Sequence, residues 1–543
     1  MSAKSRAPRG RRTALTAGAA AVAVGLVTAG TGTAFAGAAP AQSEGTSLAA
    51  TAQALGLGAN EKLVVKDVIK DADGTVHTRY ERTYAGLPVL GGDLIVHRAP
   101  SGAVKDVTKA VNATIKVASL TPKLAPPASG QTPRQVIWAA DGTPVLAYET
   151  VITGTQADGV TPSRLRVITD ATTGKRLFQR ETIEDFAGTA GQAPTPQRTA
   201  ALGTRALEAA SASGTGTGYS MYSGTVRPNT LKTSKGYQLD DTERGQAKVY
   251  DFKHTEDGAG ATLFIDQDNV WGNGTPYDNQ TAAVDAAYGA AKTWDFYKDV
   301  LHRNGIRADG KAAASNVHVA KGYDNAFWDD DTFAMYYGDG KRDAHPLTSL
   351  DVAGHELSHG LTAATAGLEY GNESGGLNEA TSDIFGTSVE FYAKNSKDIG
   401  DYLIGEMIDI NGDGTPLRYM DKPSKDAHGS ADYWSPEVGN KDVHLSSGVA
   451  NHFFYLLSEG SGQKEINGVK YDSPTKNGSK ITGIGRDKAI QIWYRALTTY
   501  FTSTTDYHSA RTGTLKAATD LYGASSAEAN AVNSAWAGVN VKP

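Results

Sequence analysis

The pattern of apolar and polar positions changes character along the 543 residues. Over residues 63–97, and again over 134–183, apolar residues alternate with polar ones, the two-residue period of half-buried strands. Asp73-Gly74, Gly91-Gly92, Asp158-Gly159 and Thr173-Gly174 supply turns. These stretches predict two small β-rich domains, at about 45–110 and 130–185, the second with strands at 145–152, 165–169 and 176–180. Over 186–213 the composition collapses to Ala, Gly, Thr, Ser and Pro, which predicts a flexible, protease-accessible linker. Short strands at 262–265, 316–319 and 333–337 then alternate with Gly, Asn and Asp turns, and one helical period interrupts them at 282–301. Beyond residue 349 the spacing turns helical over 350–364, 378–394, 449–458, 486–502 and 507–522. The fold class is therefore α+β: a β-rich lobe at 214–350 and a helical lobe at 351–543, with a cleft expected between them.

Composition narrows the function. A net charge of −6 gives no basic face for nucleic acid. The absence of cysteine removes disulfides, thiol catalysis and thiolate metal ligands, so any metal must be held by His, Asp or Glu. Arg6, Arg9, Arg11 and Arg12, then an apolar run over 14–27, then Ala34-Phe35-Ala36 have the order of a secretory signal peptide at 1–36. That run is too short to span a membrane. The expected product is secreted, extracellular and not membrane-bound.

His355-Glu356-Leu357-Ser358-His359 is an H-E-x-x-H motif. On a helix, residues four apart share a face, so His355 and His359 offer two imidazoles to one zinc ion, with Glu356 beside them. A hydrolytic zinc site takes three protein ligands and keeps one position open. Downstream, Glu379, Asp383 and Glu390 line one helical face together with Gly386, and Glu379 supplies the third ligand. Asp383 and Asn378 suit the second shell, fixing the free ring nitrogens of the two histidines. Asp351, Glu390, Asp398 and Asp401 give four hard oxygen donors at the far end of the same helix pair, which suits a structural calcium ion. Asp409 to Gly414 mimics the start of a calcium loop, but its twelfth position is Met420, and it reads as a turn.

The motifs taken in order resemble a thermolysin-like neutral zinc metalloprotease (a gluzincin). They include Asn325-Ala326-Phe327-Trp328, Tyr336-Tyr337-Gly338-Asp339-Gly340, Gly371 to Glu379, Leu417-Arg418-Tyr419-Met420 and His444-Leu445-Ser446-Ser447-Gly448. Tyr84-Ala85-Gly86-Leu87-Pro88-Val89 resembles the family's first pro-domain, and 165–177 its second. The resemblance implies a two-lobed catalytic domain with the zinc helix between the lobes, preceded by a two-part propeptide at 37–213. It implies zinc ligands His355, His359 and Glu379, with Glu356 as general base towards a zinc-activated water. His444 and Tyr370 would stabilise the oxyanion, and Asn325, Ala326 and Arg418 would hold the substrate backbone. Leu347, Val352 and Leu417 would form the pocket after the scissile bond, giving cleavage on the amino side of bulky hydrophobic residues. Some relatives orient the catalytic histidine with an Asp five residues upstream, where this chain has Gly439; others use one two residues upstream, where Asp442 stands. The expected partners are protein and peptide substrates and the chain's own propeptide, and the expected state is a monomer that processes itself. A secreted zinc-dependent binding protein with a spent site and an aminopeptidase are the rival readings.

Overall fold

A computed structural model describes residues 48–127, 132–156, 159–188 and 212–543. The signal-peptide segment and most of the linker lie outside the described residues. The N-terminal region opens with α1 (Leu48–Ala54). Strands β1 (Glu61–Lys70), β2 (Val76–Tyr84), β3 (Leu87–Leu90), β4 (Leu94–Arg98) and β5 (Val104–Lys109) follow. Next come β6 (Arg134–Trp138), β7 (Val145–Thr155), β8 (Pro162–Asp170) and β9 (Arg176–Glu181). The two β-rich segments share one nine-stranded sheet, because β3 runs parallel to β6 and pairs Val89 with Ile137. Alternation along each strand could not reveal that join, since it fixes faces and not neighbours.

Strand β10 (Ile183–Asp185) leaves this sheet and enters another. It pairs antiparallel with strand Ala326–Asp329 and so becomes the edge of a seven-stranded sheet in the following lobe. Behind that edge lie strands Ala334–Tyr337, Ala314–Val319 and Ala247–Thr255. Helix α2 (Asn279–Asp299) packs on this sheet and on α3 (Leu350–Ala364). Both α3 and α4 (Asn372–Ala393) are buried nearly all round, as central helices must be. They approach closely because neither Gly354 nor Gly386 carries a side chain: a Cβ on Gly386 would lie 2.5 Å from the Asp351 carbonyl oxygen. The short α5 (Val443–Ser446), then α6 (Gly448–Glu459), α7 (Arg486–Thr499), α8 (Tyr507–Tyr522) and α9 (Ala527–Gly538) complete the helical lobe.

The structure departs from the sequence reading at several elements, α4, α9 and the linker among them. Helix α4 begins at Asn372 rather than near 378, and runs through Gly375-Gly376. That pair is no breaker; a Cβ on Gly376 would lie 2.5 Å from Ser446 Oγ, so it permits close packing on α5. Helix α9 is additional; its Ala- and Asn-rich sequence hides Val532 and Trp536, both fully buried. The linker does not start at 186, because Phe186 is fully buried. The segment Asp409 to Gly414 is a turn, closed by the Gly414 N–H donating to Asp409 Oδ1 at 2.7 Å.

The N-terminal sheet docks on the helical lobe through buried charge. Arg79 donates to the Leu497 and Thr498 carbonyls at the end of α7, a favourable place for a cation. Arg495 forms a bidentate pair with Asp71 at 2.7 Å and also meets Asp520. At the other end Arg166 and Arg180 pair with Glu369, and Arg164 with Asp329. Between Arg495 and Tyr500 sit His77 and His97, with their Nδ1 atoms 2.7 Å apart. Only one of those nitrogens can carry a proton. His77 Nε2 faces Asp71 and Arg495. His97 Nε2 meets Thr108, with Asp106, Lys516 and Asp520 nearby. Burial pushes both pKa values down, that of His97 to about 4. A base whose pKa falls on docking stabilises the docked form above its free value near 6.5 and loses that contribution as pH falls from there towards 4. Docking should therefore loosen between pH 7 and pH 5. Hydrogen exchange of the β2 and β4 amides would report it, with the acid-induced increase reduced in a His77→Gln/His97→Gln variant.

Candidate active site

Helix α3 places His355 and His359 one turn apart, and α4 brings Glu379 against them. The two Nε2 atoms lie 3.1 Å apart, and each lies 3.5 Å from a Glu379 oxygen. Their other nitrogens are engaged: His355 Nδ1 faces Asp383 Oδ1 and His359 Nδ1 faces Asn378 Oδ1, both at 2.8 Å. With Nδ1 donating to these acceptors, each Nε2 presents its lone pair to the other and to a carboxylate. Burial and His355 push the His359 pKa well down, which keeps its ring neutral. Such a group of lone pairs fits a cation with soft nitrogen ligands, and these three residues suit zinc.

Asp383 is itself anchored, accepting from Arg418 Nη2 at 2.7 Å and Nε at 2.9 Å and from Asn451 Nδ2 at 2.8 Å. Burial alone would raise its pKa, but Arg418 and His355 hold it well below the carboxylate range. Asn451 went unnoticed in the sequence, where nothing distinguishes it from a helix-surface amide. Glu356 is fully buried, and neither of its oxygens makes a hydrogen bond. Burial and the Glu379 and Asp185 carboxylates push its pKa well up.

Across the cleft Tyr370 donates to Glu379, and its hydroxyl lies 3.3 Å from His444 Nε2. His444 Nδ1 lies 2.7 Å from Asp442 Oδ1, while Gly439 sits instead against Glu373. Burial would lower the His444 pKa, but Glu379 and Asp442 outweigh it and hold it up at about 10. Both His444 nitrogens then donate, Nδ1 to Asp442 and Nε2 to the Asp185 carbonyl at 2.7 Å.

The cleft holds a peptide, the chain's own residues 183–188. Phe186 N donates to the Ala326 carbonyl at 3.0 Å, and Arg418 Nη1 donates to the Phe186 carbonyl at 2.8 Å. Ala187 N donates to Asn325 Oδ1 at 3.0 Å. The Phe186 ring stands edge-on to His355 and under the Arg418 guanidinium, and a Cβ on Gly405 would meet both it and Leu417, at 3.3 and 3.4 Å; Leu347 and Val352 are buried in the same extended core.

The far end of the α3–α4 pair holds carboxylates. Glu390, Asp398 and Glu406 lie close enough to share an ion, and Glu390 Oε1, Asp398 Oδ2 and Glu406 Oε2 are buried without a hydrogen bond. Asp401 donates its N–H to Glu390, and Asp351 accepts from Ser349 and from Gly405 N. Glu406 is absent from the sequence-predicted set; an acid closing the otherwise apolar run 402–405 was its only signal.

Comparison with known proteins agrees with this geometry. Residues 215–363 match the family model described as "Thermolysin metallopeptidase, catalytic domain", and 366–541 match "Thermolysin metallopeptidase, alpha-helical domain". Residues 61–111 match "Fungalysin/Thermolysin Propeptide Motif". The chain is 55% identical over 507 residues to "Transglutaminase-activating metalloprotease" of Streptomyces mobaraensis, covering 90% of this chain and 62% of that protein. It is 36% identical to "Bacillolysin" of Bacillus cereus, covering 89% of this chain and 86% of that one. Against "Thermolysin" of Alicyclobacillus acidocaldarius the identity is 35%, over 90% of this chain and 87% of that one.

The carboxylate cluster makes stability depend on pH. Burial, and then repulsion from Asp351, push Asp398 up to about 6; Asp401 is pushed up to about 7. An acid whose pKa rises on folding costs stability as pH climbs from its unfolded value near 4 through its folded one. A divalent cation would offset that cost. Added calcium should therefore raise the melting temperature more at pH 8 than at pH 5, with the difference reduced in Glu406→Gln; thermal melts with calcium or a calcium-selective chelator would measure it.

Proposed function

The chain belongs to the thermolysin family of zinc metallopeptidases, and on that premise we propose that it is a secreted endopeptidase made as an inactive precursor. In this reading 1–36 is a signal peptide and 37–213 a propeptide that the enzyme removes itself. The β-rich lobe begins near 214 and the helical lobe at 351. The observation that carries the reading is the peptide seated in the cleft. It is an internal segment with chain on both sides, bound through its backbone beside the zinc-ligand set, which favours an endopeptidase over an aminopeptidase.

Each side chain then has a role. Ala326 adds the substrate as a strand, while Asn325 and Arg418 bind the peptide groups that follow the scissile bond. Leu347, Val352 and Leu417 receive a bulky apolar side chain, which sets cleavage on the amino side of residues such as Phe or Leu. Glu356 accepts a proton from the attacking water and delivers it to the leaving amine; neither of its buried oxygens is engaged in a hydrogen bond, which leaves it free for that transfer. His444 and Tyr370 donate to the developing oxyanion, a term of about 3 kcal/mol per donor. Asp442 holds the His444 ring. Asp383 and Asn378 hold the rings of His355 and His359, which with Glu379 would bind the zinc. A bound zinc ion would polarise the scissile carbonyl and lower the pKa of water towards ~7. Asp351, Glu390, Asp398, Asp401 and Glu406 would hold calcium as a structural ion, and the enzyme would act as a monomer on protein and peptide substrates.

Glu356→Gln should abolish hydrolysis of a peptide substrate yet keep one zinc per chain by metal analysis, because Glu356 lies beside the ligands. Loss of zinc in that variant would refute the assignment. His444→Ala should lower kcat about 10²–10³-fold with zinc retained.

A further inference from the structure

We propose that the first bond this enzyme cuts in its own precursor is Asp185–Phe186, within the same chain. The inference rests on the self-processing reading above and adds the bond, which composition could place no better than a span of some thirty residues. Four contacts fix the register. Phe186 N is held by the Ala326 carbonyl, the Phe186 carbonyl by Arg418, and Ala187 N by Asn325. The Asp185 carbonyl is the one that meets His444 Nε2, at 2.7 Å. Shifting the chain by one residue would put another carbonyl there and turn Phe186 out of its pocket, because strand side chains alternate.

The pocket selects the same bond. The Phe186 ring is fully buried, and a Cβ on Gly405 would come within 3.3 Å of its Cε1, so glycine at 405 leaves room for an aromatic ring. Among residues 183–188 only Ile183 and Phe186 are bulky and apolar, and Ile183 belongs to a different buried cluster with Phe252, Tyr323 and Phe327. In the cut, the water oxygen bonds to the Asp185 carbonyl carbon and the C–N bond to Phe186 breaks. One water proton passes through Glu356 to the Phe186 nitrogen, and the second leaves the new carboxyl group for the amine or for solvent. The products are an Asp185 carboxylate and a chain that begins at Phe186 and still carries the linker. The docked sheet keeps its ion pairs after this step, so the first fragment stays bound.

The test uses the full-length chain, followed from its earliest cleavage by intact mass and N-terminal sequencing. The expected first product starts at Phe186, forms at a rate independent of protein concentration, and is absent in Glu356→Gln. Phe186→Asp should slow that cut at least ~10-fold while Phe186→Leu retains it, as expected for a residue selected by an apolar pocket. Thermal melts of the variants check that each precursor is folded. A first cut that needs Glu356 but falls beyond residue 188 would overturn the assigned bond and leave self-processing standing. Cleavage at Asp185–Phe186 in the Glu356→Gln chain would overturn both, since another protease would then be responsible. Unchanged processing of Phe186→Asp would also refute the proposal. Hydrolysis of a separate Phe-containing peptide by the same preparations tests the peptidase reading on its own.

Discussion

The structure depends on how closely α3 and α4 approach. Gly354 and Gly386 let the two backbones touch, and everything charged along that seam is thereby taken out of water. An uncompensated buried charge costs far more than the packing gains, so each must find a partner of opposite sign. Along the seam the partners vary. Asp383 has Arg418 and the His355 ring. Glu379 has the Tyr370 hydroxyl, and the two Nε2 lone pairs beside it leave room for a metal cation to complete the balance. At the far end Glu390, Asp398 and Glu406 crowd together, each with one buried oxygen that makes no hydrogen bond, and a cation there would offset their repulsion.

The same constraint ties the two ends together. Asp351 and His355 lie one turn apart on α3, and Glu379 and Glu390 lie three turns apart on α4. An ion bound at the acidic end would bear on the same helix pair that carries the two histidines. Gly405 belongs to both regions: its N–H binds Asp351, and its missing side chain makes room for Phe186. The acidic end and the seat of Phe186 meet in that one residue.

What the sequence revealed follows from what its signals encode. The ends of α3 and α8 were legible because strong periodicity coincides with their boundaries. The residue group at the cleft was legible because ligand spacing on a helix is fixed by the 3.6-residue turn. The start of α4 was hidden, since glycine marks both a break and a close contact, and only the neighbour at Ser446 decides between them. Glu406 was hidden because its partners at Glu390 and Asp398 are near in space and not in spacing. The seating of Phe186 was hidden by averaging: one aromatic residue in a run of small ones barely changes a composition, yet it is the residue that fills the pocket.

Strand β10 occupies the edge of the catalytic sheet, and removing it would leave the Ala326–Asp329 edge bare. Whatever replaces it must first be drawn out straight. Compact domains offer no such stretch except where a loop can unfurl, so this sheet edge acts as a gauge of local pliancy. Among targets with the same residue after the cut, the enzyme would discriminate by how readily each surrenders its own shape. A well-folded protein, its own helical lobe included, would resist digestion by remaining folded.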